Sequence, residues 1–256
     1  MLINDRDLPR QYNQLAESYE KFSSANKEIT YVSDPLLLEL IGDIHGLDVL
    51  DVGCGNGAHL AILREKTPNS LVGVDISEKF IDICKQNLPS DVKLVVANAN
   101  TEDFVAAIQS AGTGQFDVIY HSFVQVHNTT REEMKAFWRN IHQLLKKGGR
   151  AIGITSDPNA AKPLGVDKLM DLSYGFPNGA PLKDGDIFEA HLSPELTVYS
   201  HYWSFETVAD LMKEIGLKDV RRASVHANDI SMQAYSKKEW NVIEKSGAIY
   251  ALVGVK

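Results

Sequence analysis

The sequence predicts an α/β fold: a mostly parallel sheet with helices on both faces, a three-layer sandwich. Three observations predict it. Short apolar runs alternate with helical patterns along most of the chain, the signature of strand–crossover–strand units. Two of these runs end in an acid, Val49-Leu50-Asp51 and Val72-Gly73-Val74-Asp75. Between them, Gly53-Cys54-Gly55-Asn56-Gly57 places a glycine at every second position. That spacing suits a tight strand-to-helix turn that lets backbone approach a ligand, with the N–H groups of the next helix behind it.

The elements follow in order. Ser33-Asp34-Pro35 reads as a cap and a first-turn proline for a helix through Ile44. Val49–Val52 is the first strand, and the helix after the glycines runs from Ala58 to Lys66, stopping before Pro68. Ser77 caps a helix to about Leu88, with Pro89 beyond. Thr130-Arg131-Glu132-Glu133 is a capping box. It opens a helix whose Met134, Phe137, Trp138, Ile141, Leu144 and Leu145 form a core stripe. Five prolines and four glycines break up residues 157–203, with short strands near Ile187–Leu192 and Leu196–Trp203. A segment this long and irregular inside a compact domain is commonly functional. Ser204 caps a helix that stops at Gly216, Ser236-Lys237-Lys238-Glu239 is a second capping box, and strands lie near Val220–His226 and Ile249–Val255. No internal repeat or low-complexity segment interrupts this order.

Length and composition restrict the function. At 256 residues with 44% hydrophobic content, one domain with a sizeable core is expected. The formal net charge of −8 argues against a polyanionic substrate, since nucleic-acid binding leans on Lys and Arg. Cys54 and Cys84 fit a reducing, cytoplasmic setting. No signal peptide is seen, and no apolar run approaches the ~18 residues of a membrane span. His191, His201 and His226 are scattered, and no His-x-x-x-His or Cys-x-x-Cys spacing appears, so no metal site is expected.

Asp75 lies 20 residues after Gly55, about the spacing at which an acid meets a ribose hydroxyl in nucleotide-binding α/β folds. The glycines alone also satisfy the dinucleotide fingerprint. Asp51 separates the two classes, because a carboxylate two residues before the first glycine would repel a pyrophosphate. Asp51-Val52-Gly53-Cys54-Gly55-Asn56-Gly57 resembles motif I of the class I S-adenosylmethionine-dependent methyltransferases. The resemblance extends, in order, over about residues 10–155. Tyr12-Asn13-Gln14-Leu15-Ala16-Glu17-Ser18-Tyr19-Glu20 is similar to the family's lid lead-in, with Asn13 and Glu20 in place of its usual acids. Leu94–Asn100 is similar to the adenine-contacting strand and turn, with Asn98 where Asp is frequent, and Phe116–Ser122 and Leu144–Arg150 to the fourth strand and the turn before the fifth. Tyr174-Gly175-Phe176, Lys183–Asp186 and His201–Ser204 are similar to toxoflavin-synthase-like small-molecule methyltransferases.

This resemblance implies a Rossmann-like, seven-stranded sheet whose antiparallel last strand is inserted between the fifth and sixth. It also implies a substrate-covering insert after the fifth strand. Residues 1–256 then form a single methyltransferase domain: an N-terminal lid (1–32), a cofactor-binding core (33–156), an acceptor-pocket insert (157–203) and the C-terminal part of the sheet (204–256). The implied cofactor is S-adenosylmethionine. Asp75 is expected to hold its ribose, Gly53, Gly55 and Gly57 to let the loop pass close, and Asp51 to orient the methionyl ammonium. Ile76 is expected on the adenine face, Asn98 and Ala99 at its edge, and Tyr12 and Tyr19 over the methionyl end. His121, at the end of the fourth strand, is the candidate base and the remaining cofactor-side residue; His127 is read as a similar residue or as a cap for the loop before Thr130. His121-Ser122-Phe123-Val124 lacks the Asn/Asp-Pro-Pro-Tyr/Phe tetrapeptide of enzymes acting on exocyclic amines of bases. The expected acceptor is therefore a small molecule, an aromatic or heteroaromatic secondary metabolite, with no nucleic-acid or membrane partner. Two alternatives stay open: a non-catalytic S-adenosylmethionine-binding protein, and an NAD-dependent enzyme.

Overall fold

Strands rich in Val, Leu and Ile with no polar alternation must be covered on both faces, and the computed structural model places them so. It describes residues 8–10, 12–13, 16, 26–112, 114–170, 173–176, 179–193 and 196–256. Helix α1 (Asp34–Ile41) leads to β1 (Asp48–Val52), α2 (Ala58–Arg64), β2 (Ser70–Asp75), α3 (Glu78–Asn87) and β3 (Lys93–Val96). Next come α4 (Phe104–Ser110), β4 (Phe116–Ser122), α5 (Arg131–Leu144) and β5 (Leu145–Ser156). The short helices α6 (Pro158–Ala161) and α7 (Val166–Leu169) precede β6 (Ser173–Gly175), β7 (Ile187–Ser193) and β8 (Leu196–His201). The chain closes with α8 (Phe205–Glu214), β9 (Lys218–Ser224), α9 (Lys237–Ser246) and β10 (Ile249–Val255).

Seven strands form one sheet in the order β3-β2-β1-β4-β5-β10-β9. β1 to β5 run parallel, and β10 is antiparallel to both β5 and β9. The last strand is thus inserted as the resemblance implied. One apolar layer joins the sheet to α1, α2, α3 and α9, the other to α4, α5 and α8. Strand order reverses between β1 and β4, and ligands of such sheets bind outside the strand ends at that point. No helix among the described residues is long and apolar enough to cross a membrane.

The caps at Ser77, Ser204 and Ser236 are present, the last with its full capping box. Two expected details are different. Ser33 does not start a helix: residues Ile29–Ser33 form a π-helical turn that runs straight into α1, and the helix ends at Ile41 rather than Ile44. Pro35 has no N–H, and its ring crowds the carbonyl four residues back; a widened preceding turn accommodates both. Thr130 Oγ1 accepts from Glu133 N–H, but the Glu133 carboxylate accepts from the N–H and hydroxyl of Thr129, so the box is only half formed. Residues 157–203 are more regular than their prolines suggested. β6, β7 and β8 make a separate antiparallel sheet, and Pro158 sits at the first turn of α6 behind an Asp157 cap.

Candidate functional site

The glycine loop folds back over β2: Gly53 and Cys54 both donate to the Val74 carbonyl, at 2.7 and 3.0 Å. Gly53, Gly55 and Gly57 all have positive φ, which L side chains rarely adopt. Their surroundings differ. A Cβ on Gly57 would come within 2.9 Å of Cys84 Sγ, so this glycine serves contact with α3. A Cβ on Gly55 would meet nothing within 4 Å, and Gly55 lines two cavities. The space in front of Gly55 is therefore open, so a ligand in these cavities could lie close against its backbone.

Asp75, at the C-terminal end of β2, accepts from Gly55 N–H through Oδ2 and from Ser77 N–H through Oδ1, both at 2.9 Å. Burial pushes its carboxyl up, against those hydrogen bonds. Each oxygen keeps a second lone pair for a hydroxyl. Asp75 lines a cavity of about 740 Å³, measured out to open solvent, together with Gly53, Gly55, Ile76, Asn98, Ala99 and Tyr12. Asn98 Oδ1 accepts from Asn100 N–H at 3.0 Å, which leaves the amide's donors for a ligand edge.

A second cavity, about 610 Å³, adjoins the first and shares Tyr12, Phe123 and His127 with it. Its walls are mostly apolar: Ile29, Val126, Tyr174, Phe188, Leu192 and Val198 are joined by Glu28, Ser156 and Ser200. The small sheet β6-β7-β8 thus closes one side of it. A third, more polar cavity lies across the glycine loop and is lined by Asp34, Asn56 and His59 among others. His59 Nε2 and Asp34 Oδ1 are 2.9 Å apart, and Asp34 draws the His59 pKa up against the effect of burial.

The structure thus brings seven of the expected residues, Tyr12, Gly53, Gly55, Asp75, Ile76, Asn98 and Ala99, around one cavity. Tyr19 lies outside the described residues. Asp51 and Gly57 sit behind the loop instead of in the cavity wall. Asp51 is 2% exposed, accepts from Tyr120 Oη at 2.8 Å, and is pushed by burial up to about 6. His121 requires correction. Its ring packs edge-on against both Phe137 and Trp138, with centroids 5.1 and 5.4 Å away, on the sheet face opposite Asp51. Burial lowers its pKa to about 3, and it lines none of these cavities. Cys54 is buried in the loop, where the neighbouring Cys84 thiol and burial push its thiol up.

Sequence reasoning did not place Glu28, Phe123 or Val124 in a cavity wall, and read His127 without its contact to Tyr12. Tyr12 Oη lies 2.6 Å from His127 Nε2, and burial lowers the His127 pKa to about 4. Phe123 has φ of 56°, strained for a bulky residue, and lines all three cavities. A strand-end Phe carries no signal of that conformation; His127 could have been found only by knowing that residue 12 folds back onto it.

Comparison with known proteins bears on this arrangement. The profile of a family described as a methyltransferase domain matches residues 49–149. An uncharacterized protein of Methanocaldococcus jannaschii is 27% identical over 82% of this chain and 75% of its own length. The demethylmenaquinone methyltransferase of Lactococcus lactis is 26% identical over 61% of each chain. The tRNA (carboxymethyluridine(34)-5-O)-methyltransferase of Xenopus tropicalis is 32% identical over 41% of this chain but only 14% of its own length. The matched region thus spans less than two thirds of the last two. In fold, the chain is similar to the CcbJ methyltransferase of Streptomyces caelestis (TM-score 0.64, 15% identity, 98% of each chain). It is also similar to an S-adenosylmethionine-dependent methyltransferase of Mesorhizobium loti (TM-score 0.62, 16% identity, 91% of this chain and all of the other). Residues 49–149 thus match a methyltransferase domain, and the chain has the fold of S-adenosylmethionine-dependent methyltransferases.

Proposed function

We propose that this methyltransferase moves the methyl group of S-adenosylmethionine onto a small molecule seated in the second cavity. The observation that carries this is the junction of the two cavities at Tyr12, Phe123 and His127. One cavity has the ribose-type acid and glycine loop; the other is mostly apolar and walled in part by the insert 157–203. The bound cofactor supplies an activated methyl and its own leaving group, so the protein mainly aligns the partners and excludes water.

Asp75 holds the ribose hydroxyls, Ile76 packs on the adenine, and Asn98 and Ala99 meet its edge. The methionyl end lies toward the polar cavity of Asp34 and His59. Asp51 braces this end from behind through Tyr120. His127 replaces His121 as the candidate base. Burial keeps it neutral, and its Nδ1 has no partner among the described residues. It takes the proton that the acceptor releases as the new bond to methyl forms. A tRNA acceptor has two similar proteins behind it, but the formal net charge of −8 and the apolar second cavity favour a small molecule.

Calorimetric titration with S-adenosylmethionine, S-adenosylhomocysteine and NAD tests the site, with Asp75→Ala as control. Micromolar binding of the first two, weakened at least about tenfold in the variant, is expected from losing charge-assisted hydrogen bonds. Tighter binding of NAD would overturn the assignment.

A further inference from the structure

The second cavity holds one group that the methyl-transfer reading leaves unused. Glu28, just before the π-helical turn, is 2% exposed and lines the cavity wall. Its Oε1 is buried with no hydrogen-bond partner among the described residues. A buried carboxyl oxygen without a partner is costly, and a ligand donor reaching it would recover that cost. Other acids reinforce its field. Asp34 acts on it from the same helical run, and Tyr174 on β6 feels Glu28 together with Asp167 of α7 and Asp157. His127 faces the cavity from the turn before α5 but is neutral. No Lys or Arg is among the described residues lining this cavity.

We propose that Glu28 is a specificity-determining anchor for a cationic nitrogen, so that the acceptor is an apolar molecule carrying an amine at the end away from the reacting atom. This rests on the second cavity being the acceptor site. The placement within the cavity supports it. Tyr12, Phe123 and His127 line both cavities, whereas Glu28 lines only the second, so the anchor is separate from the end where methyl transfer takes place. Ile29, Phe188 and Val198 give the body of such a molecule an apolar wall, and an ammonium buried against a carboxylate is stable only when paired in this way. Burial first, then Asp34, holds the Glu28 carboxyl up at about 8. An ammonium, whose own pKa is ~10, must therefore displace the carboxyl proton on binding, and its affinity rises as the pH rises through 8.

The test uses the full chain saturated with S-adenosylhomocysteine and two probes of one shape, phenethylammonium and 2-phenylethanol, titrated calorimetrically at pH 6.5 and 8.5. Phenethylammonium is expected to bind at least about tenfold more tightly than the alcohol at the higher pH, and about tenfold more tightly there than at the lower. Glu28→Gln should abolish both differences while S-adenosylhomocysteine and 2-phenylethanol bind as before. Equal affinity of the two probes, preference for the alcohol, a preference that survives Glu28→Gln, or binding of neither probe overturns the proposal. Should the variant fail to fold, the preference and pH dependence of the wild type decide. Failure of S-adenosylhomocysteine to bind, with the ammonium preference intact, would sink the methyl-transfer reading instead.

Discussion

Asp51 and His121 stand near the ends of adjacent strands and face opposite sides of the sheet. Asp51 shares its side with Tyr120 and α2; His121 shares the other with Phe137 and Trp138. The sequence could not separate them, because strands buried on both faces show no polar alternation from which to read which side a residue takes. The loop residues were legible for the opposite reason: Gly53, Gly55, Asp75, Ile76 and Asn98 belong to short local turns whose spacing sets their geometry. Asp51 allows a test at this scale. Burial raises its carboxyl from 3.8 to about 6, so the folded protein holds this proton more tightly than the unfolded chain. Its contribution to stability is full below pH ~4 and is lost as the pH rises through 6. Asp51→Asn keeps an acceptor for Tyr120 and removes the buried charge. It is expected to stabilise the free protein by roughly 1–3 kcal/mol at pH 8, with the gain vanishing near pH 4, in urea denaturation at both pH values.

At the scale of elements, ends defined by side-chain caps were legible, as at Ser77, Ser204 and Ser236. Ends set by the preceding backbone were not. Ser33 carries the residue type of a cap, yet the chain before it is already helical. Thr129 competed successfully for Glu133, which the spacing of the box could not reveal. Packing between β4 and β5 gives the next prediction. A Cβ on Gly153 would lie 2.3 Å from His121 Nε2, and that ring is fixed by Phe137 and Trp138. Gly153→Ala should therefore destabilise by about 1–3 kcal/mol, read as a lower denaturation midpoint. S-adenosylhomocysteine affinity should stay unchanged, since neither residue lines the cofactor cavity.

At the scale of the whole molecule, the parallel alternation was readable from hydrophobic runs, but the insertion of β10 between β5 and β9 came only through resemblance. The antiparallel sheet β6-β7-β8 was half visible: the strands of β7 and β8 were expected, and β6 is too short to leave a pattern. What no local pattern could supply is the return of the N-terminus. Tyr12 meets His127 across 115 positions of sequence. Beside it, Asn13 Oδ1 accepts from Ser77 Oγ at 2.7 Å and from Lys79 N–H at 3.2 Å at the start of α3. The amide at this position, a departure from the family's usual acid, thus still fastens the segment to a helix N-terminus.

That fastening sets a clock as well as a shape. Tyr12 lines both cavities, and the prediction is that spent cofactor leaves only once its bond to His127 opens, so that exchange and not bond formation limits turnover. Tyr12→Phe keeps the ring and removes the hydroxyl bond, worth about 1 kcal/mol. Stopped-flow measurement should find S-adenosylhomocysteine leaving roughly fivefold faster, while its equilibrium affinity changes less because entry quickens too. In such an enzyme the tightest grip does not give the fastest turnover.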